Sequence, residues 1–229
     1  DFGRGNNESF YDLIKQMDAQ IDVERFRISS IEPNLINDKI IEFCFQSKKF
    51  MPHFHIPMQS GSDIILGKMK RRYQTKLYRN KINTIVKEIK DVCIGADVIV
   101  GFPGETQEEF NKTLNFIKDL PLSYLHVFTY SERENTFATE LNPKVPQEIR
   151  NQRSKKLRAL SEYLKSQFII RNMDTKHTIL VEGVDDNELH GYTENYIKFH
   201  VNSNQMKIND LVSVKPVNSS YGTIIGKTL

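Results

Sequence analysis

Along the first two thirds of the chain, apolar positions recur with two periods, one near 3.6 residues and one of 2, and the switches between them divide the chain into elements. Phe10, Leu13, Ile14 and Met17 recur at helical spacing behind Ser9, whose hydroxyl can accept the first free amide hydrogens, so a helix is predicted there. The segment RFRISSI (25–31) then reads as a strand. Asn37 opens a second helix bearing Ile40, Ile41, Phe43 and Cys44. HFHIPMQ (53–59) is the next strand candidate, with Pro57 at its end or on an irregular stretch because proline has no amide hydrogen for a ladder. Helical spacing returns with Leu77, Ile82, Ile85, Val86 and Ile89. ADVIVGF (96–102) is a nearly continuous apolar run, as in strands covered on both faces. Thr106 and Glu109 form a capping-box pattern before Phe110, Leu114 and Ile117, and YLHVFTY (124–130) is the fourth strand.

Strands separated by helices imply parallel pairing with crossover connections, hence an α/β barrel, complete or partial, or an open doubly wound sheet. In either, a ligand site lies at the carboxyl ends of the strands. Those ends read SSIEP, PMQSGSD, GFPGET and TYSER, all polar and turn-rich. A basic amphipathic helix follows over 147–172, with Leu157, Leu160, Leu164 and Phe168 on one face. From about Thr175 the texture changes to short strands and turns (HTILVEGV, GYTENYIKFHV, DLVSVKPV, YGTIIGKTL), which predicts a small all-β barrel. Two domains are therefore expected, 1–174 and 175–229.

Composition adds limits. At 229 residues and 38% hydrophobic content the chain can bury one sizeable core and a small second one. No stretch reaches the roughly 18 apolar residues of a membrane span, and the first residues lack a signal-peptide pattern, so the expected compartment is the cytoplasm. The net charge of +3 says little, but its distribution says more: residues 68–81 hold seven basic side chains and no acid, and residues 150–158 hold five. Such blocks are either solvated helix faces or a surface that tracks nucleic-acid phosphates. Cys44 and Cys93 are too few for a disulfide framework and too far apart for a local metal site, and read as buried thiols.

The strand ends supply Glu32, Gln59, Ser60, Asp63, Asp97, Glu105, Ser131 and Arg133 around one expected rim. This set suits a polar small molecule, with carboxylates for ribose hydroxyls, Gln and Ser for amides, and Arg for an anion. No metal site is expected. His53 and His55 share a strand face but have no third ligand nearby in sequence, and no phosphate-binding glycine loop or nucleophile elbow is present.

The segments HFHIPMQSGSDIILGKMKRRY, GADVIVGFPGETQEEF and LHVFTYSERENTFA resemble the radical S-adenosylmethionine methylthiotransferases that modify tRNA adenosine 37, in order and over nearly the whole chain. The tail after Thr175 resembles their TRAM domain, an RNA-binding β-barrel. RFRISSIEP is most similar to the branch acting on N(6)-threonylcarbamoyladenosine, with the isopentenyladenosine and ribosomal-protein branches as alternatives. The resemblance implies the later part of a (β/α) radical SAM barrel, S-adenosylmethionine as cofactor, and two 4Fe-4S clusters in the full-length protein. The thiolate ligands of those clusters, a CxxxCxxC loop and further cysteines, are absent here. A fragment, inactive alone, is therefore expected. By position, the resemblance implies cofactor contacts at Ser30, Glu32, Gln59, Ser60, Asp97, Val127 and Tyr130. For the tRNA anticodon stem-loop it points to Lys70, Arg71, Arg72, Tyr73 and Arg133, with Tyr192 as a stacking aromatic. Arg133 and Thr136 fall in a YSxRxGTxA pattern, with Asn135 where glycine is usual. No residue is assigned a catalytic role. An RNA-binding module without catalysis and an unrelated barrel enzyme acting on a phosphorylated metabolite stay open beside this reading.

Overall fold

The computed structural model describes all residues except 1, 4, 186, 187, 203–205 and 221. Its first part runs α1 (Phe10–Gln20), β1 (Phe26–Ile28), α2 (Asp38–Gln46), β2 (Phe50–His55), α3 (Asp63–Lys68), α4 (Thr75–Glu88), β3 (Cys93–Val100), α5 (Gln107–Lys118) and β4 (Tyr124–Thr129). The four strands form one parallel sheet in sequential order β1-β2-β3-β4. The helices pack on one face, over Phe54, Ile94, Ala96, Val98, Leu125 and Val127. Sequential order with helices on a single face is the geometry of a barrel segment; a doubly wound sheet would reverse its order and cover both faces.

The helices begin where the polar caps allow. Ser9 accepts from the Asp12 amide and Asp12 returns the bond, Asn37 accepts from Ile40, and Thr106 accepts from Glu109. The reciprocal half of the expected Thr106 box does not form, because the Glu109 carboxylate is taken by the Ser62 hydroxyl and by Lys112. Helix α3 has no counterpart in the apolar spacing of the sequence. It is a single short helix started by Ser62, and its own Asp63 then accepts the Thr75 amide at 2.7 Å to start α4.

After β4 comes α6 (Gln147–Arg171), then β5 (His177–Asp185), β6 (Glu188–Thr193), β7 (Lys198–Asn202), β8 (Leu211–Ser220) and β9 (Thr223–Thr228), closed as a barrel in the order β5-β6-β7-β9-β8. The run GYTENYIKFHV is two strands rather than one, broken where Tyr196 takes φ 67° and the Thr193 carbonyl accepts its amide. The barrel's core of Ile179, Val181, Leu189, Phe199, Val201 and Val214 continues into Phe168 and Ile169 of α6 and Cys93 of β3. Polar ties hold the two parts: Arg25 donates to the Thr178 carbonyl at 2.8 Å, and the Asn195 amide donates to the Asp91 carbonyl at 3.0 Å.

Candidate functional site

The sheet face opposite the helices carries the polar and aromatic side chains. Strand parity puts His53 and His55 of β2, Asp97 and Ile99 of β3, and Tyr124, His126 and Phe128 of β4 on it. At the carboxyl ends, β2 runs past Pro57 into Gln59, which takes φ 66° and forms a lone bridge to Val98. Its amide donates to the Asp97 carbonyl at 2.8 Å and its own carbonyl accepts from Ile99 at 3.0 Å, so this irregular stretch is pinned to β3.

Gln59, Asp97, Tyr130, Arg71, Arg133 and Thr136 line one cavity of about 550 Å³, closed on its apolar side by Ile99, Phe102 and Phe128. Two polar atoms beside it, Tyr130 Oη and Arg71 Nε, are buried without a hydrogen-bond partner. Arg71 also pairs with Glu32 at 3.2 Å. Burial pushes the Asp97 carboxyl up, but hydrogen bonds and charge from His55 and then His126 more than offset this and hold it below its ordinary value. The His53 imidazole is held down to about 3, by burial first and by Arg27 and the neighbouring histidines after it.

The loop after β3 is built from behind. Gly101 and Gly104 take φ 77° and 80°, left-handed values that glycine adopts without strain. The Glu105 carboxylate turns back to accept the Gly101 amide at 2.7 Å and pairs with Arg153 at 2.7 Å, with 0% and 6% of their side chains exposed. Burial still raises the Glu105 pKa, against that amide and the guanidinium. Arg150 packs where a Gly101 side chain would stand, donates to the Tyr130 and Val145 carbonyls and grips Glu132 with both terminal nitrogens. These α6 arginines are therefore struts, and the basic block 150–158 is not a continuous phosphate-tracking face.

Several expected contacts fall elsewhere. Ser60 is fully buried, its hydroxyl 3.2 Å from that of Thr113 on α5, so its side chain does not reach the cavity. Val127 points into the helix-side core, its carbonyl accepting from Arg158. Ser30 is exposed and, with Glu32, lines a separate cavity of about 500 Å³ beside Phe10, Tyr11 and Leu35. Tyr73 is buried and donates its hydroxyl to the Pro57 carbonyl at 3.0 Å, a brace under Gln59 that RNA cannot reach. Lys70 is exposed with its ammonium 3.9 Å over the Phe137 ring. Arg72 and Lys76 are exposed along a larger, open groove of about 890 Å³ that Arg71 also borders. Tyr192 has one face stacked on Tyr196 at 4.6 Å. Asn135 does adopt the positive φ, 60°, of the usual glycine. Sequence reasoning missed His126, which the parity of LHVFTY put on the same face as Tyr124 and Tyr130.

The Radical SAM superfamily pattern matches residues 2–117. The chain belongs to the radical SAM superfamily. Among curated relatives, the threonylcarbamoyladenosine tRNA methylthiotransferase of Bacillus subtilis is 37% identical over 219 residues, 93% of this chain and 49% of that protein. The tRNA-2-methylthio-N(6)-dimethylallyladenosine synthase of Clostridium tetani is 34% identical over 210 residues, 90% of this chain and 46% of that protein. The chain spans about half the length of the curated relatives it matches. Of solved structures, the radical SAM coproporphyrinogen III oxidase of Escherichia coli aligns with a TM-score of 0.48 and 18% identity over 62% of this chain and 32% of that one.

The superfamily implies S-adenosylmethionine and an iron–sulfur cluster, and the residues present fit the two differently. The cavity has carboxylate, amide, guanidinium and hydroxyl groups, two of whose atoms, Arg71 Nε and Tyr130 Oη, are unpartnered, and this set suits a nucleoside bearing an amino-acid group. A cluster needs thiolates. Cys44 lies in the core under α2 and Cys93 in the small barrel's core, both pushed up to about 12 by burial, and neither borders the cavity. The residues of this chain do not fit the cluster.

Proposed function

We propose that this chain is the cofactor- and tRNA-facing part of a cytoplasmic methylthiotransferase that adds a 2-methylthio group to N(6)-threonylcarbamoyladenosine 37 of tRNA by radical S-adenosylmethionine chemistry. The observation that supports it most is the strand-end cavity with its unpartnered Tyr130 and Arg71 atoms, in a chain so similar to the Bacillus subtilis enzyme. When bound, S-adenosylmethionine supplies the radical initiator and the methyl group. The side chains here bind and orient: Asp97 accepts a ribose hydroxyl on the carboxylate oxygen that His55 and His126 do not contact, the Gln59 amide and Tyr130 hydroxyl hold polar edges, and Phe102 and Phe128 exclude water. Arg71 and Arg133 on the lip suit the carboxylate of a threonylcarbamoyl group, which favours that substrate over an apolar dimethylallyl group. The exposed Lys70 and Arg72, on either side of Arg71 in sequence, suit phosphates of the anticodon stem-loop. On this reading the cluster thiolates come from polypeptide outside these 229 residues, one region corresponding to 1–174 forms the cofactor half, and 175–229 is a TRAM-like RNA-binding unit.

The deciding experiment is mass spectrometry of tRNA nucleosides from cells lacking the gene. The expected result is loss of 2-methylthio-N(6)-threonylcarbamoyladenosine with accumulation of its unthiolated precursor. Unchanged levels would overturn the proposal, and selective loss of the dimethylallyl derivative would move it to the other substrate.

A further inference from the structure

Three side chains from three adjacent strands converge midway along the sheet's polar face. Asp97 and His126 are in direct register across β3 and β4, and His55 lies one diagonal step away on β2, paired with Gly95. His55 Nε2 is 2.8 Å and His126 Nδ1 is 3.4 Å from the same oxygen, Asp97 Oδ1, and the three ligand atoms lie within 4.8 Å of one another. A tetrahedral ion with bonds of about 2.0–2.1 Å holds neighbouring ligand atoms about 3.3 Å apart. The observed separations bracket that spacing, so small side-chain rotations complete the site.

The surroundings match a metal centre in two further respects. A ligating imidazole is aimed by a partner on its other nitrogen. His55 Nδ1 faces the Tyr124 hydroxyl at 3.4 Å, and that hydroxyl is 3.0 Å from His53 Nε2, a chain that fixes the ring of His55. Tyr124 can occupy this place because residue 95 is glycine, since a β-carbon there would overlap its ring. The site is also open on one side: the His126 side chain is 55% exposed and that of Asp97 23%, and Asp97 borders the strand-end cavity.

We propose that His55, Asp97 and His126 bind one divalent transition-metal ion of the zinc class, with a fourth coordination position open toward the strand-end cavity. Two imidazoles and one carboxylate select zinc(II) or cobalt(II) over magnesium or calcium, which take oxygen-only sites. The open position takes water or a polar group of whatever occupies the cavity. No thiolate takes part, and the site stands or falls independently of the tRNA substrate.

The test is titration of the metal-stripped chain with cobalt(II), followed by the visible ligand-field bands of a tetrahedral ion, then displacement by zinc(II). One equivalent is expected to produce the bands. His126→Ala and Asp97→Asn are each expected to weaken binding by at least about tenfold, while His200→Ala, which removes a histidine paired with Glu188 in the small barrel, leaves it unchanged. Because His126 is exposed, its variant keeps the fold, and far-ultraviolet circular dichroism verifies this. Absence of bands in the folded parent chain would overturn the proposal, as would parent-like affinity in both site variants or loss of the bands in His200→Ala.

Discussion

On β3 and β4 the two faces of the sheet differ only in whether a residue is odd or even, yet they do opposite work. The helix side is Ile94, Ala96, Val98 and Val100 beside Leu125 and Val127, all buried in one apolar core. The other side is Gly95, Asp97 and Ile99 beside Tyr124, His126 and Phe128, with His53 and His55 next to them on β2. Burial of the first set supplies the hydrophobic stabilisation, at about 25 cal/mol per Å². The second set includes an exposed phenylalanine and buried histidines, arrangements that a purely structural strand would not need. The apolar core and the polar face are thus separated by one residue of phase, which makes the separation measurable.

The largest effect is expected where the two faces meet, at the loop after β3. Arg153→Ala leaves the Glu105 carboxylate buried without its cation, and unfolding in urea is expected to show a loss of about 3–5 kcal/mol. A loss below about 1 kcal/mol would mean that the loop does not depend on α6. Next comes a direct comparison of neighbours on β4. Leu125→Ala is expected to cost about 2–4 kcal/mol through the cavity it leaves. His126→Ala is expected to stay within about 0.5 kcal/mol of the parent, the usual range for exposed positions, while binding cobalt(II) at least about tenfold more weakly. Equal costs at the two positions would abolish the division between the faces.

The smallest effect concerns pH. Arg150 lowers the exposed Glu132 carboxyl to about 2, chiefly through their hydrogen bonds. A depressed carboxylate contributes stability that is complete above its unfolded value near 4.5 and disappears as pH falls toward 2. Glu132→Gln is therefore expected to flatten the acid side of the stability profile between those values and to leave neutral pH nearly unchanged. An identical acid slope in parent and variant would show that the pair contributes nothing.

Caps and periodicity made most of the fold legible in the sequence, because Ser9, Asn37 and Thr106 each act locally and do not depend on distant partners. Helix α3 escaped because six residues hold too few turns for a period to show. The site was partly legible. Gln59, Asp97, Tyr130, Arg71 and Arg133 do gather, since strand ends of a parallel sheet share a rim. Ser60 and Val127 do not, for reasons of phase: the positive φ of Gln59 breaks the alternation before Ser60, and Val127 is out of step with the polar Tyr124, His126 and Phe128. Counting charges could not reveal that Arg150 and Arg153 turn inward, because direction depends on the glycine loop they meet in three dimensions. The His55, Asp97 and His126 cluster was hidden for a similar reason: its members are 71 positions apart end to end and are joined only by strand register.

Helix α6 grips the glycine loop near its start through Arg150 and Arg153, and is embedded in the small barrel near its end through Phe168 and Ile169. At 1.5 Å per residue the two grips stand about 28 Å apart along one continuous rod. That rod makes the strand-end loop and the small barrel mechanically one piece, because a displacement at either grip is carried to the other through an unbroken helix.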